Sequence, residues 1–166
     1  MSHAKIEKTN AARLLDKAKI KYELIPYIVD EKHLAATHVA EQLNEPIESV
    51  FKTLVLKGDK SGYFVCVVPG NHEVDLKAAA KASGNKKVAL IPMKELLPTT
   101  GYIRGGCSPI GMKKRFPTLI HSSIMEHEAI YISAGVRGIQ IQIAPQDLID
   151  YVGATVTEIS TIAEGE

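Results

Sequence analysis

The segment Gly101-Tyr-Ile-Arg-Gly-Gly-Cys-Ser-Pro-Ile-Gly111-Met-Lys-Lys-Arg115 is the first place in this sequence where residue types and spacing could do chemistry. The Gly105-Gly106 pair lets backbone N–H groups approach a ligand closely and can aim two donors at one oxyanion. The Lys113-Lys114-Arg115 run that follows favours phosphate. The spacings are those of neither a P-loop nor a Gly-x-Ser-x-Gly elbow. Pattern alone leaves two readings open: a ligand-binding loop, or a structural turn with a solvated basic flank. Cys107 lies inside the segment. A thiolate nucleophile needs a base and a depressed pKa, and no histidine lies within ten residues of it, so an inert small residue is the favoured reading. Ser108, before Pro109, reads as a turn former.

Three further positions carry chemistry in principle. Lys52 interrupts an apolar strand. It is either a lysine on a solvated strand face, which pattern prefers, or a cation held over a cleft. Asp147 falls in the first turn of the last helix, where a carboxylate complements the helix dipole. Ser133 to Gly138 leaves a strand into a glycine turn and reads as a hairpin connection. Cys66 sits mid-strand and reads as core.

The elements that must position these residues can be read locally. Thr9 or Asn10 caps a helix whose apolar face is Ala11, Leu14, Leu15 and Ala18. Tyr22–Val29 is a strand bent at Pro26, and Thr37–Leu43 a short helix. Phe51–Lys57 and Tyr63–Val68 flank Gly58-Asp-Lys-Ser-Gly62 as a hairpin. Asp75 caps a helix over Leu76–Ser83, stopped by Gly84. Lys87–Ile91 reads as a strand and Met93–Leu97 as one helical turn. After the Thr99–Pro117 loop come short strands at Leu119-Ile120 and Ile130–Ser133. A period-two strand follows at Ile139–Ala144, then a helix over Pro145–Tyr151 with Pro145 at its first position. Strands come in adjacent pairs more than in strand–helix–strand alternation, which predicts a single, largely antiparallel α+β domain over residues 1–166.

Composition bounds the rest. The chain has 166 residues, 45% hydrophobic and 23% charged, which is enough for one core and typical of an ordered domain. It contains no uncharged apolar stretch long enough to span a membrane, and its first residues lack a secretory apolar region. Two cysteines and six scattered histidines form no disulfide framework and no metal-ligand spacing. The expectation is a reduced, cytoplasmic protein without a metal. The net charge of +1 argues against a nucleic-acid binder. Residues 76–125, however, carry nine basic side chains and one acid, a net of +8 set in an acidic remainder. A polyanionic partner is therefore not excluded.

Phe51-Lys52-Thr53-Leu54 comes first in chain order. Gly101-Tyr102 follows, leading to Gly105-Gly106-x-Ser108-Pro109-x-Gly111-x-Lys113-Lys114-Arg115. Then come Tyr131-x-Ser133-x-Gly135-x-Arg137-Gly138 and Ala144-Pro145-x-Asp147-Leu148. Taken together, over about Asn10 to Ile159, these motifs resemble the YbaK/EbsC family of aminoacyl-tRNA editing domains. The resemblance implies a curled, mixed but mostly antiparallel, barrel-like sheet surrounded by helices. It implies a free-standing deacylase of mischarged tRNA, nearest the branch that clears Cys-tRNA(Pro) and also Cys-tRNA(Cys). The alternatives are an Ala-tRNA(Pro) deacylase or a non-catalytic binder of aminoacyl-tRNA or amino acid.

By the same resemblance Lys52 lies near the terminal adenosine, the Gly105 backbone lines the substrate carbonyl, and Asp147 joins them as a catalytic position. Tyr27, Thr53, Gly106, Ser108, Pro109, Ser133 and Arg137 are implied to bind substrate, and Lys113, Lys114 and Arg115 to bind RNA. No cofactor is implied. The tRNA 3′ end is the implied partner, with prolyl-tRNA synthetase in a ternary complex. The substrate's own thiol is implied to attack its ester. Three residues depart from the family pattern, Cys107, Ala134 and Val136. The pocket position near Leu34 or Ala35 bears on which amino acid is accepted.

Overall fold

The β2–β3 hairpin is the spine of the molecule. In the computed structural model, which describes residues 7–163, β2 (Phe51–Gly58) pairs antiparallel with β3 (Gly62–Pro69) along its whole length, from Phe51 opposite Pro69 to Gly58 opposite Gly62. The YFVCVV run of β3 shows no alternation because both of its faces are covered. Val65 and Val67 enter one core with Leu15, Ile120, Ile132, Ile141 and Leu148. Phe64, Cys66 and Val68 enter another with Leu56, Leu119 and Ile159.

The helices are α1 (Asn10–Lys17), α2 (Ala36–Leu43), α3 (Leu76–Ser83), α4 (Met93–Thr100) and α5 (Pro145–Val152). The remaining strands are β1 (Tyr22–Pro26), β4 (His72–Val74), β5 (Val88–Leu90), β6 (Thr118–His121), β7 (Ile130–Ser133), β8 (Ile139–Ile143), β9 (Thr155–Thr157) and β10 (Ser160–Ile162). A five-stranded sheet runs β5-β2-β3-β6-β9, with β6 parallel to both of its neighbours. An antiparallel sheet runs β1-β8-β7, and β10 pairs antiparallel with β4. This is the α+β architecture expected, but its strands belong to three sheets. Among the described residues the two larger sheets share one isolated bridge, Val50 to Tyr131. Upstream of Val50 the chain is the Ile47–Ser49 3-10 turn. There the amides of Ser49 and Val50 are already bonded to Pro46 and Ile47, so the ladder stops. No described helix is long and apolar enough to cross a membrane.

Two differences from the sequence expectation have local causes. Helix α4 continues past Pro98, where a single turn was expected. The Thr100 hydroxyl donates to the Leu96 carbonyl at 2.8 Å, and the Gly101 amide, in the left-handed region, donates to the Leu97 carbonyl at 2.8 Å. These bonds complete the turn that a proline weakens. Strands β4, β9 and β10, three residues each, carry no periodic signal and exist only through pairing with distant partners.

Candidate active site

A cleft of about 400 Å³ opens between β2, the β5–α4 corner, the start of α2 and the long loop. Strand β2 supplies Lys52 and Thr53, and β7 and β8 supply Ser133 and Gln140. Tyr27 follows β1, Leu34 and Ala35 precede α2, and the loop contributes Arg104, Gly105 and Cys107. Of the site residues expected from sequence, the structure thus brings together Lys52, Thr53, Tyr27, Gly105 and Ser133. Leu34 and Ala35, the two candidates for the pocket position, line the same cleft.

The other expected residues stand elsewhere. Gly106 is buried and does not line the cleft, its amide donating to the Ile103 carbonyl at 3.0 Å. Ser108 is buried, and its hydroxyl accepts from the Ile110 amide at 3.2 Å, as a turn former does. Arg137 donates from Nε to the Arg104 carbonyl at 2.8 Å and so pins the loop from outside the cleft. Asp147 lies half-buried in the first turn of α5 and does not line the cleft. Pro109, Lys114 and Arg115 line a second cleft, and Lys113 donates to the Pro98 carbonyl at 3.4 Å.

Lys52 has become a cation over a cleft. Burial holds its ammonium below the ordinary 10.5, against the opposing pull of Glu73. Nearby His72 is also held below its ordinary range, by burial first and then by the charges of His121 and Lys52. Thr53 Oγ1 and Gln140 Oε1 are buried without a hydrogen-bond partner among the described residues. Two unpaired polar atoms beside a half-buried cation are what a site leaves for a ligand. On the loop wall, neither the Gly105 nor the Cys107 amide has a protein acceptor among the described residues, so both are free to donate. Tyr102 braces the loop, its hydroxyl donating to the Ile110 carbonyl at 2.6 Å.

Gln140 was missed by sequence reasoning. The alternating IQIQIA run assigns both glutamines to a wet face. The signal that could have found Gln140 is register: closing the Ser133–Gly138 turn into a hairpin places Gln140 opposite Ser133.

Cys107 lines the cleft, but burial pushes its thiol up to about 12, with only a partial opposing effect from a hydrogen bond to Thr100. No histidine lines the cleft among the described residues. A thiol held that high stays protonated at neutral pH, the weakly nucleophilic form. Burial likewise pushes Cys66 up to about 12. In native protein at pH 8, neither thiol is therefore expected to react with a disulfide reagent within minutes, and both should react after denaturation. Rapid labelling of one thiol in the native state would restore Cys107 as a nucleophile.

This α+β domain therefore carries a cleft equipped to hold a ligand. It offers one desolvated cation, free amides on a glycine turn and unpaired neutral polar atoms. Among the described residues it has no nucleophile–base pair and no cluster of three metal-ligating side chains. The chain belongs to the aminoacyl-tRNA editing domain family, whose model matches residues 25–151. It is 49% identical, over 93% of its own length and 94% of the relative's, to the Enterococcus faecalis protein named "Putative Cys-tRNA(Pro)/Cys-tRNA(Cys) deacylase EbsC". A segment covering 46% of the chain is 33% identical to 13% of the length of a proline–tRNA ligase from Thermosipho africanus. The fold matches a crystal structure described as "a putative trans-editing enzyme for prolyl tRNA synthetase", with TM-score 0.79 and 20% identity over 93% of this chain and 99% of that one.

Proposed function

We propose that this chain deacylates mischarged tRNA, with cysteine wrongly esterified to proline tRNA as its preferred substrate and Cys-tRNA(Cys) as a second one. The observation that carries this reading is the cleft itself, lined by Lys52 and the Gly105 loop, with no nucleophile–base pair among the described residues that line it. The near full-length similarity to a relative named as a Cys-tRNA deacylase supports the choice of substrate.

Such a site suits chemistry supplied by the substrate. The cysteinyl thiol attacks its own ester carbonyl. An S–C bond forms, the C–O bond to the ribose breaks, and the thiol proton ends on the ribose oxygen. The thiolactone released is then opened by water. The protein's part is to hold thiol and carbonyl together, which for well-oriented groups is worth several kcal/mol. Amide donors from the Gly105 turn stabilise the developing oxyanion, and the Lys52 ammonium holds the anionic 3′ end. Tyr27, Thr53, Ser133 and Gln140 orient the amino acid and the ribose.

A panel of Cys-, Ala-, Ser- and Pro-tRNA(Pro) tests the proposal. Cys-tRNA is expected to be cleaved at least ~100-fold faster than Ala-tRNA, which carries no thiol. Equal rates on the two would overturn the thiol-driven step and leave a deacylase of the alanine type. We further propose that tRNA choice comes from prolyl-tRNA synthetase in a ternary complex, since the chain's basic excess is confined to residues 76–125 and gives it only a local grip on a tRNA. Co-purification of the synthetase with tRNA present is the expected result.

A further inference from the structure

A second cleft, of about 240 Å³, is lined by the following stretch of the same loop. Its walls combine two cations, Lys114 and Arg115, with two half-buried rings, Phe116 and Tyr151, and the apolar side chains of Leu14 and Met112. We infer that this cleft binds one nucleotide of the RNA strand whose 3′ end occupies the first cleft, the phosphate on Lys114 and Arg115 and the base against the rings. The inference rests on the reading of the first cleft as an aminoacyl-tRNA site.

Three observations carry it. The first is charge without a use. Lys114 and Arg115 are exposed, and neither is paired with a carboxylate among the described residues. Arg115 is nonetheless held in place, donating from Nη2 to the Tyr151 carbonyl at 3.2 Å at the end of α5. A cation already ordered for another reason loses less freedom when it meets a phosphate.

The second observation is composition. Cations beside aromatic rings are the combination that takes single-stranded nucleic acid, the charges tracking the backbone and the rings stacking on bases. The third is placement. Arg104, Gly105 and Cys107 wall the first cleft, and Pro109 to Met112 and Lys114 to Phe116 the second, with the buried Gly106 and Ser108 along the chain near the junction. Cys107 and Pro109 are two residues apart, so at that point the clefts are separated by at most about 7 Å of chain. The two clefts are therefore built on consecutive stretches of one loop. The local excess of +8 over residues 76–125, in a chain of net +1, includes both cations.

Lys114→Glu tests this with little risk to the fold, because the side chain is exposed and makes no hydrogen bond to the described residues. Binding of uncharged tRNA is expected to weaken about tenfold. The slope of log affinity against log salt should shrink by about one, the signature of a lost phosphate contact. With Cys-tRNA, KM should rise about tenfold at constant kcat. With the cysteinyl ester of adenosine alone, which has no phosphate to reach the second cleft, the variant should match the parent. Unchanged tRNA binding would overturn the inference, as would an equal loss on the adenosine ester, which would mean a distorted loop. If the parent protein cleaves no ester while Lys114→Glu still loses tRNA binding, the reaction assigned to the first cleft falls and the second cleft stands as an RNA site.

Discussion

Replacing Lys52 with methionine is expected to lower kcat/KM on Cys-tRNA(Pro) by about 10²–10³ while raising the melting temperature by about 2–4 °C. The two effects have one cause. Lys52 is half-buried in an apolar cleft, and burial lowers its pKa from 10.5 despite the pull of Glu73. The ordinary lysine compensation, a close carboxylate, is missing: no salt bridge to Lys52 exists among the described residues. Because the folded-state pKa is the lower one, the unfolded chain binds more protons between the two values. Stability therefore rises with pH through that window, and at neutral pH the full cost of holding the cation is present. Methionine keeps most of the stem's packing and removes the cost. It also removes the charge awaiting the anionic 3′ end and any help to the oxyanion. The difference in melting temperature between variant and parent should narrow as pH approaches 10.5. Parental activity in Lys52→Met would remove the role given to this residue. A clear drop in melting temperature would show that Glu73 stabilises the lysine more than burial opposes it.

The pairing of cost with function explains what could be read from sequence. Helix limits set by short-range hydrogen bonds were legible. Thr9 accepts from the Ala12 amide and Asp75 from the Ala78 amide, and Gly84 ends α3 in the left-handed region. The β2–β3 hairpin was legible because its two runs and their turn are contiguous. Strands β4, β9 and β10 were not, since three residues acquire strand character only beside a partner far away in the chain. The same division runs through the site. Local pattern ranks Lys52 as a surface lysine, because nothing within the strand reveals that α4 and the loop close over it. Of the residues that motif resemblance singles out, Lys52, Gly105, Tyr27, Thr53 and Ser133 line one cleft, whereas the Ser108 hydroxyl is spent on its own turn and Asp147 does not line that cleft. Motifs report which residues travel together, not which of them meet. Gln140 needed the register of β7 on β8.

Gly105→Ala is expected to lower kcat/KM by about 10²-fold or more with a stability loss of only about 1–2 kcal/mol. Gly105 holds φ at +85°, where an L side chain is strained. An added Cβ would also stand 3.2 Å from Arg137 Nε and 3.4 Å from Leu34 Cδ2. Arg137 is the side chain that pins the loop through the Arg104 carbonyl, so relief by moving it releases the cleft wall. A displacement of about 1 Å there is enough for a loss of that size, since the amides serve only where the oxyanion forms. Gly84→Ala separates strain from displacement. Gly84 has φ at +76° and open space around its Cβ, at the end of α3 and outside the cleft. It should lose a similar amount of stability in urea unfolding and keep its turnover. If Gly105→Ala and Gly84→Ala lower activity equally, the effect is global stability and the loop has no positioning role. If Gly105→Ala alone fails, adding Arg137→Ala should recover only part of the rate, because it removes the crowding and leaves both the backbone strain and the missing pin.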